Sequence, residues 1–212
     1  MKNIIKKIII KILLFAGYFF SPLRAFVETR GTVHQISFKQ ILFQKVFRIN
    51  SRIPWPALPS TFIGNVENIK MGVESSLGDN KQIYVQAGAP IEIGNYTRVT
   101  AFCKLIASNH SVYNHKEHIE SQGIKIGDYC WIGIGSTILP NVVLGNHTIV
   151  AAGSVVNKSF PEGYCVIAGV PAKIVKMLDR DKIVEYKESP EYVGWKRLDE
   201  ITDKDTYYIG NK

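Results

Sequence analysis

Branched aliphatic residues recur at every sixth position through the middle of the chain: Ile126, Ile132, Ile138, Leu144, Val150 and Val156. A helix repeats its apolar face about every 3.6 residues and a strand every second residue, so neither explains this period. The period predicts a solenoid in which each hexapeptide forms one side of a three-sided coil and turns its aliphatic side chain inward. A second inward position, four residues later, carries small side chains that suit a narrow interior: Cys130, Ser136, Val142, Thr148 and Ser154.

The same period extends upstream in two further runs, Met71, Leu77 and Ile83, and then Ile93, Val99 and Leu105. The segment 109–123 breaks the pattern and puts the two main blocks out of phase. Because it is rich in His, Asn, Glu and Lys, this segment is predicted to leave one corner of the solenoid as an external loop. Rigid coils fix where such a loop lies, so it is a natural place for function.

The predicted fold is an all-β solenoid over residues 69–176, preceded by two segments of different character. Residues 1–52 begin with an apolar stretch that predicts a helix, and Pro22 is expected to end it. The prolines of residues 53–68 exclude a helix there and predict an extended connector.

Residues 177–212 follow the solenoid and lack its period, so they are predicted to form a C-terminal cap and tail. A parallel coil stack leaves its last coil exposed, and a covering element prevents pairing at that edge. The charged stretch Asp179–Lys187 is predicted to be a short helix that supplies this cover.

The net charge of +8 is unevenly distributed. Residues 1–52 contain ten Lys or Arg and a single acid, Glu28, whereas the remaining 160 residues carry 16 basic and 17 acidic side chains. This distribution argues against nucleic-acid binding by the solenoid. It favours contact between the basic N-terminal segment and a partner whose surface is anionic. Three interpretations of the first helix remain open: an interfacial amphipathic helix, a signal peptide with a basic start, or a helix packed on the domain or on a partner subunit.

The cysteines indicate packing rather than chemistry. Cys103 and Cys130 both fall at inward positions of the solenoid, where a small apolar side chain is needed. Their spacing does not match a metal site, and three cysteines cannot all pair. They are predicted to be buried residues of a reducing compartment.

The motifs of the second block resemble those of a known family. The chain reads Ile-Gly-Asp-Tyr-Cys-Trp-Ile-Gly from Ile126, Ala-Gly-Ser from Ala152, and Ala-Gly-Val-Pro-Ala-Lys from Ala168. In this order they resemble the hexapeptide-repeat acyltransferases, closest to the maltose, galactoside and surface-polysaccharide O-acetyltransferases, over residues 60–176. The resemblance implies a left-handed parallel β-helix and a homotrimer with active sites between subunits.

The resemblance also implies a catalytic residue, His110, at the point where the chain leaves the coil for the loop. Transfer of an acetyl group from a thioester to an alcohol requires removal of the alcohol's proton. A histidine, with an ordinary pKa of about 6.5, can accept that proton and release it to the departing thiolate. Direct transfer needs no acyl-enzyme, so His110 is expected to act as a general base.

By the same resemblance the acyl donor is acetyl-CoA, used as a co-substrate. The matching donor-binding positions are Trp131, Ala152, Asn157, Lys158, Lys173 and Lys176. Lysines suit the phosphates of coenzyme A as point charges. The chain departs from the family pattern at Ile134, where a serine is common, and at Asn157, where a threonine is common.

Acceptor contacts are expected at Asn80, which matches an amide that binds the acceptor in sugar-acetylating members, and at His115 in the loop. His110, His115 and His118 also have a spacing that suggests a zinc site of three histidines, as in the gamma-class carbonic anhydrases. That arrangement uses a further histidine from a preceding coil, and residues 53–109 contain none. No metal is therefore predicted.

The expected reaction is O-acetylation of a sugar hydroxyl in a surface polysaccharide of the capsule or O-antigen type. The expected location is the cytoplasm, peripherally at the inner face of the cytoplasmic membrane, with residues 1–20 touching anionic lipid. The alternatives are acetylation of a small non-sugar acceptor of the xenobiotic type, a non-catalytic trimeric scaffold, and a metal-dependent hydratase or lyase.

Overall fold

The computed structural model describes residues 2–210. Its centre is a stack of five coils whose strands form three parallel faces. The first face contains β1 (Phe62–Gly64), β3 (Tyr84–Gln86), β6 (Lys104–Ile106), β9 (Thr137–Ile138) and β12 (Val155–Val156). The second face contains β2 (Ile69–Met71), β4 (Ile91–Ile93), β7 (Ile124–Ile126) and β10 (Val143–Leu144). The third face contains β5 (Arg98–Val99), β8 (Trp131–Ile132), β11 (Thr148–Val150), β13 (Cys165–Gly169) and the antiparallel β14 (Ala172–Met177).

Three edges join these faces, and the chain passes them in a fixed order. The first edge joins the first face to the second, the second edge joins the second face to the third, and the third edge leads from the third face to the first face of the next coil. The predicted loop 109–123 leaves at the first edge, between β6 and β7. Each residue can therefore be assigned to a coil and to a face or an edge.

The aliphatic residues of the six-residue period stack inside the coils. Leu105 pairs in register with Val85 on one side and with Ile138 on the other, and Ile138 pairs with Val156. All six residues of the run from Ile126 to Val156 are buried. The small second positions are buried as well. The Ser136 Oγ donates to Gly133 O and the Thr148 Oγ1 donates to Gly145 O, both at 2.6 Å. The predicted parallel solenoid is therefore confirmed.

The predicted C-terminal helix over Asp179–Lys187 is wrong. The structure has only a 3₁₀ turn at Arg180–Lys182 there, begun by the Asp179 carboxylate, which accepts the Asp181 N–H at 3.2 Å. Nearly all side chains of the stretch are exposed, so a helix would have no apolar face to bury, and helices this short are marginal without packing. The last coil is covered instead by β14, which folds back on β13.

Residues 178–192 form a strap that runs back along the second edge toward the first coil. This edge carries a ladder of four rings, one in each of the last four coils, with centroids 5.0, 5.1 and 4.8 Å apart: Tyr96, Tyr129, His147 and Tyr164. The strap meets the ladder at successive rungs. The Arg180 guanidinium lies 4.1 Å from the centroid of the Tyr164 ring, and Glu185 contacts His147 Nε2 at 2.8 Å. The Tyr129 hydroxyl donates to the Tyr186 carbonyl at 2.9 Å.

The end of the chain covers the first coil. The Met71 N–H donates to Tyr207 O at 2.7 Å, and the Glu74 N–H donates to Tyr192 O at 2.8 Å. Tyr192 belongs to the hairpin of β15 (Tyr192–Val193) and β16 (Lys196–Arg197). The C-terminal segment thus covers the first coil, whereas it was predicted to cover the last one.

The N-terminal segment is helical and docks on this tail. It forms α1 (Lys2–Phe19), α2 (Ser21–Glu28) and α3 (Phe38–Ile41), the last continued by a π-helical turn at Leu42–Val46. Pro22 does not end the first helix as predicted. Phe20 is extended between α1 and α2, and Pro22 lies in the first turn of α2, where its missing N–H is not needed. Among residues 2–210, no helix combines the length and the apolar character needed to cross a bilayer.

Two ion pairs hold α2 to the tail. The Arg24 guanidinium pairs with Glu200 at 2.5 Å, and the Glu28 carboxylate pairs with Arg197 and accepts the Tyr192 hydroxyl at 2.5 Å. The predicted connector contains no α-helix, but it holds β1, so the first coil begins inside it.

Stability should fall with rising pH because of Glu74, which is buried under the tail. Burial raises the pKa of its carboxyl from 4.5 to about 7, so the folded chain binds this proton more tightly than the unfolded chain. The stabilisation is therefore complete below pH 4.5 and is lost as the pH rises through 7. Between about pH 5 and pH 8, the window of this titration, we expect the melting temperature of Glu74→Gln to fall less than that of the wild type. An equal fall of the melting temperature in the two proteins would contradict this role of Glu74.

Candidate active site

The loop 109–123 is an ordered hairpin at the first edge. Where β6 ends, the backbones of His110 and His118 form an antiparallel bridge. The Ile119 N–H donates to Asn109 O at 2.9 Å, and the Ser111 N–H donates to Glu117 O at 2.8 Å. The loop thus returns toward His110 as paired backbone before it re-enters the coil at β7.

This pairing puts two imidazoles together. The ring centroids of His110 and His118 are 4.2 Å apart with the planes tilted by 36°, and both side chains are exposed. His115 lies in the turn between them and is also exposed. The sequence analysis did not select His118 as a site residue, because its approach to His110 depends on the register of the hairpin.

The foot of the loop is tied to the next coil. Asn141, on the first edge with φ +65°, accepts the Gln122 N–H at 2.7 Å and the Ser121 hydroxyl at 3.1 Å through its side-chain oxygen. The single proton of the Ser121 hydroxyl is shared with Ala107 O, which lies 2.6 Å from the Ser121 Oγ. These bonds fix where the loop leaves and rejoins the solenoid.

A cleft of about 570 Å³ opens beneath the loop on the same edge. It is lined by Asn65, Gln86, Gly88, Ala89, Ser108, His118, Ile119, Glu120 and Ser121. The side-chain oxygen of Gln86 is buried and accepts no hydrogen bond from the described residues. At Gly88 a Cβ would lie 2.1 Å from the Ser108 Oγ, so glycine keeps this wall open. The cleft therefore offers amide, hydroxyl and carboxylate groups beside the histidine pair.

A second cavity of about 600 Å³ lies between the connector and the end of the chain, where Arg52, Ile63 and Tyr207 contribute to its lining. It includes none of the predicted site residues. The cleft beneath the loop is therefore the better candidate, because it adjoins the titratable pair.

The predicted donor-binding residues lie on several faces. Asn157 and Lys158 follow β12 on the first edge, two coils beyond His110, and both are exposed. Ala152 lies on the third edge, between β11 and β12. Trp131 begins β8 on the third face and is 47% exposed. One chain therefore does not bring all of these residues to His110, because whole sheets separate their edges.

The two predicted phosphate-binding lysines are Lys173 and Lys176, both exposed on β14. They share this strand at the end of the third face, where it pairs with β13 on the side away from β11. Their ammonium groups can therefore serve one extended anionic ligand that runs along the solenoid.

Asn80 lies on the third edge, away from His110. Its side-chain nitrogen donates to Val99 O at 3.2 Å and to the Asp79 carboxylate at 3.1 Å, so that amide fastens one coil to the next. Within the described part of the chain, no three His, Cys, Asp or Glu side chains are grouped as ligands for one metal ion.

Residues 123–158 match the family model described as the bacterial transferase hexapeptide, with six repeats. The chain carries the hexapeptide repeat of the bacterial transferases. The match spans the run of aliphatics from Ile126 to Val156, and the predicted resemblance to the hexapeptide-repeat acyltransferases is confirmed.

Three relatives illustrate the range of the similarity. A putative lipopolysaccharide biosynthesis O-acetyl transferase of Escherichia coli is 32% identical over 114 residues, which are 48% of this chain and 58% of that protein. Galactoside O-acetyltransferase of Escherichia coli is 25% identical over 158 residues, 73% of this chain and 76% of that protein. A mitochondrial gamma carbonic anhydrase of Arabidopsis thaliana is 32% identical over 128 residues, 59% of this chain and 42% of that protein. The chain thus spans about half the length of the first and third of these relatives.

A solved structure agrees with the same assignment. A hexapeptide-repeat acetyltransferase of Vibrio cholerae, in complex with acetyl coenzyme A, is 28% identical with a TM-score of 0.52. The alignment covers 57% of this chain and 66% of that chain. The similarity therefore leaves a large part of this chain outside it.

Asn141→Gly should loosen the foot of the loop. Glycine tolerates the positive φ, so the substitution removes the side-chain acceptor without backbone strain. We expect the amide of Gln122 to exchange its hydrogen at least about tenfold faster, as loss of one hydrogen bond implies. Asn157→Gly is the matched control, because Asn157 lies on the same edge and makes no hydrogen bond to the loop among the described residues. Unchanged exchange in Asn141→Gly would contradict the role of this tie.

Proposed function

We propose that this protein transfers an acetyl group from acetyl-CoA to a saccharide hydroxyl, with His110 as the general base. The observation that carries the proposal is the position of His110 at the start of the loop that follows β6, paired with His118 beside a polar cleft. The hexapeptide repeat and the names of the relatives support the reaction class.

The chemistry needs one proton acceptor close to both substrates. An imidazole nitrogen of His110 takes the proton of the acceptor hydroxyl as its oxygen attacks the thioester carbonyl. The carbon–sulfur bond breaks, the acetyl group becomes an ester of the acceptor, and His110 returns the proton to the coenzyme A thiolate. No covalent enzyme intermediate is required.

The acceptor is proposed to occupy the cleft beneath the loop. A sugar presents several hydroxyls, and the lining supplies matching groups: the amides of Asn65 and Gln86 and the carboxylate of Glu120. Gln86 has the clearest case, because its buried oxygen accepts no bond from the described residues and a ligand hydroxyl can donate to it. A surface-polysaccharide acceptor is supported by the relative named for lipopolysaccharide biosynthesis.

The site is proposed to need two subunits of a homotrimer with left-handed coils. His110 lies on the first edge, whereas Trp131 lies on the third face and Ala152 on the third edge. A neighbouring subunit can bring its donor-binding residues to the first edge of this chain. The third edge suits close contact between copies, since Gly135 and Gly153 have open space beside them and Ile134 is half exposed.

A small non-sugar acceptor is the alternative within the same reaction class. The cleft of about 570 Å³ would admit a compact molecule, so only turnover separates the two. Release of coenzyme A with small acceptors but with no saccharide would select the alternative. Absence of release with every acceptor would leave a non-catalytic scaffold.

Replacement of His110 should abolish transfer while the fold persists. We expect His110→Ala to lower kcat by about 10²–10⁴-fold, the usual contribution of a general base. The measurement is coenzyme A thiol release with a saturating saccharide, with the oligomer checked by light scattering. Lys116→Ala, exposed on the same loop, is the control and should retain activity. An unchanged rate in His110→Ala would remove this residue from the mechanism.

Charge reversal on β14 should weaken donor binding selectively. Lys173→Glu with Lys176→Glu is expected to raise KM for acetyl-CoA by about tenfold or more, since two phosphate partners are lost and two repulsive charges are gained. KM for the saccharide should not change. Lys204→Glu, exposed on the tail, is the control. Equal effects on both KM values would contradict the assignment.

A further inference from the structure

We propose that one face of α1 is a docking surface for an anionic lipid bilayer. This face, called here the α1 stripe, consists of Ile5, Ile8, Ile9, Ile12, Phe15 and Phe19. Binding of the stripe to a bilayer would be a property additional to the proposed acetyl transfer, and the transfer does not depend on it. The stripe defines which surface of residues 1–20 would make the predicted contact with an anionic membrane.

The α1 stripe is continuous and outward-facing. At about 100° of rotation per residue, its six side chains fall within about 120° of one another, the width of an amphipathic face. Ile12 is 60% exposed, Phe15 is 74% exposed and Phe19 is 77% exposed. A helix whose purpose is to pack on its own domain would bury this face, so the packed-helix interpretation does not account for it.

The opposite side of α1 is the one that touches the protein. Gly17 is buried against α2, where a Cβ would lie 2.7 Å from the Arg24 backbone nitrogen. Arg24 is itself paired with Glu200 in the tail. The helix is therefore held at Gly17, and the stripe is presented away from the domain.

The charges around the stripe favour an anionic surface. Lys7 and Lys11 are exposed, and at about 100° per residue they lie on the flank next to Phe15. In an interfacial helix the apolar face enters the acyl boundary while flanking lysines meet the headgroups. The ten basic residues and one acidic residue of residues 1–52 add long-range attraction to such a surface.

The same charges decide against a second copy of this chain as the occupant. Two N-terminal segments of like charge repel each other when their stripes meet. A bilayer containing anionic lipid satisfies both the apolar stripe and its lysine flank. Like-charge repulsion and the lysine flank therefore select the bilayer over self-association.

The test is co-sedimentation of the full-length protein with vesicles of phosphatidylglycerol and phosphatidylcholine. The wild type should sediment with them, and less with phosphatidylcholine alone. Phe15→Ser with Phe19→Ser should lower the partition coefficient at least about tenfold, because burial of two aromatic side chains is lost. Lys7→Gln with Lys11→Gln should reduce binding to anionic vesicles only. Val184→Ser, an exposed apolar residue of the strap, should bind like the wild type.

Two results would overturn the proposal. One is equal sedimentation of the Phe15→Ser, Phe19→Ser variant and the wild type. The other is that the wild type does not sediment with vesicles and the same variant has a different oligomeric state from the wild type. That result would identify the α1 stripe as a contact between copies. Coenzyme A release with a soluble acceptor, measured in parallel, should be equal in the wild type and the variant. Loss of that activity in both proteins would count against the proposed function and leave the lipid result standing.

Discussion

The inward packing of one branched aliphatic per hexapeptide is the constraint on which the rest of the structure depends. Each such side chain sits on its counterpart in the coil below, as Leu105 does between Val85 and Ile138. The stack fixes three faces and three edges, and every other feature is attached to one of them. A shift of one residue in a strand would turn its aliphatic outward, so the register is strongly specified.

This constraint also decides where chemistry can occur. The loop interrupts the coils at the first edge, and His110 lies at its start, after β6. Asn141 in the next coil holds the foot of the loop in place. The second edge is occupied by the ring ladder and its strap, and the tail closes the first coil. The first edge carries the histidine pair and the polar cleft, and the third edge carries Gly135, Gly153 and the half-exposed Ile134.

The sequence predicts the coils well because the period of six has one simple physical origin. It also locates the loop, since a break in a strict period is visible. It misses what depends on contacts between distant segments. His118 joins His110 only through hairpin pairing, and the bond from the Asn80 amide to Val99 in the next coil has no signal in the sequence. The strap could not be predicted as such, because its partners Tyr129 and His147 occupy corner positions that carry no periodic signal.

The central claim is that acetyl transfer requires His110 of one subunit and the donor-binding face of another. Subunit exchange between His110→Ala and Trp131→Ala proteins, each inactive alone, tests it most directly. If the site spans two chains, a randomly mixed pool should regain about one quarter of wild-type coenzyme A release, the chance that both halves of an interface are intact. No recovery, with exchange verified by distinct affinity tags, would contradict the account.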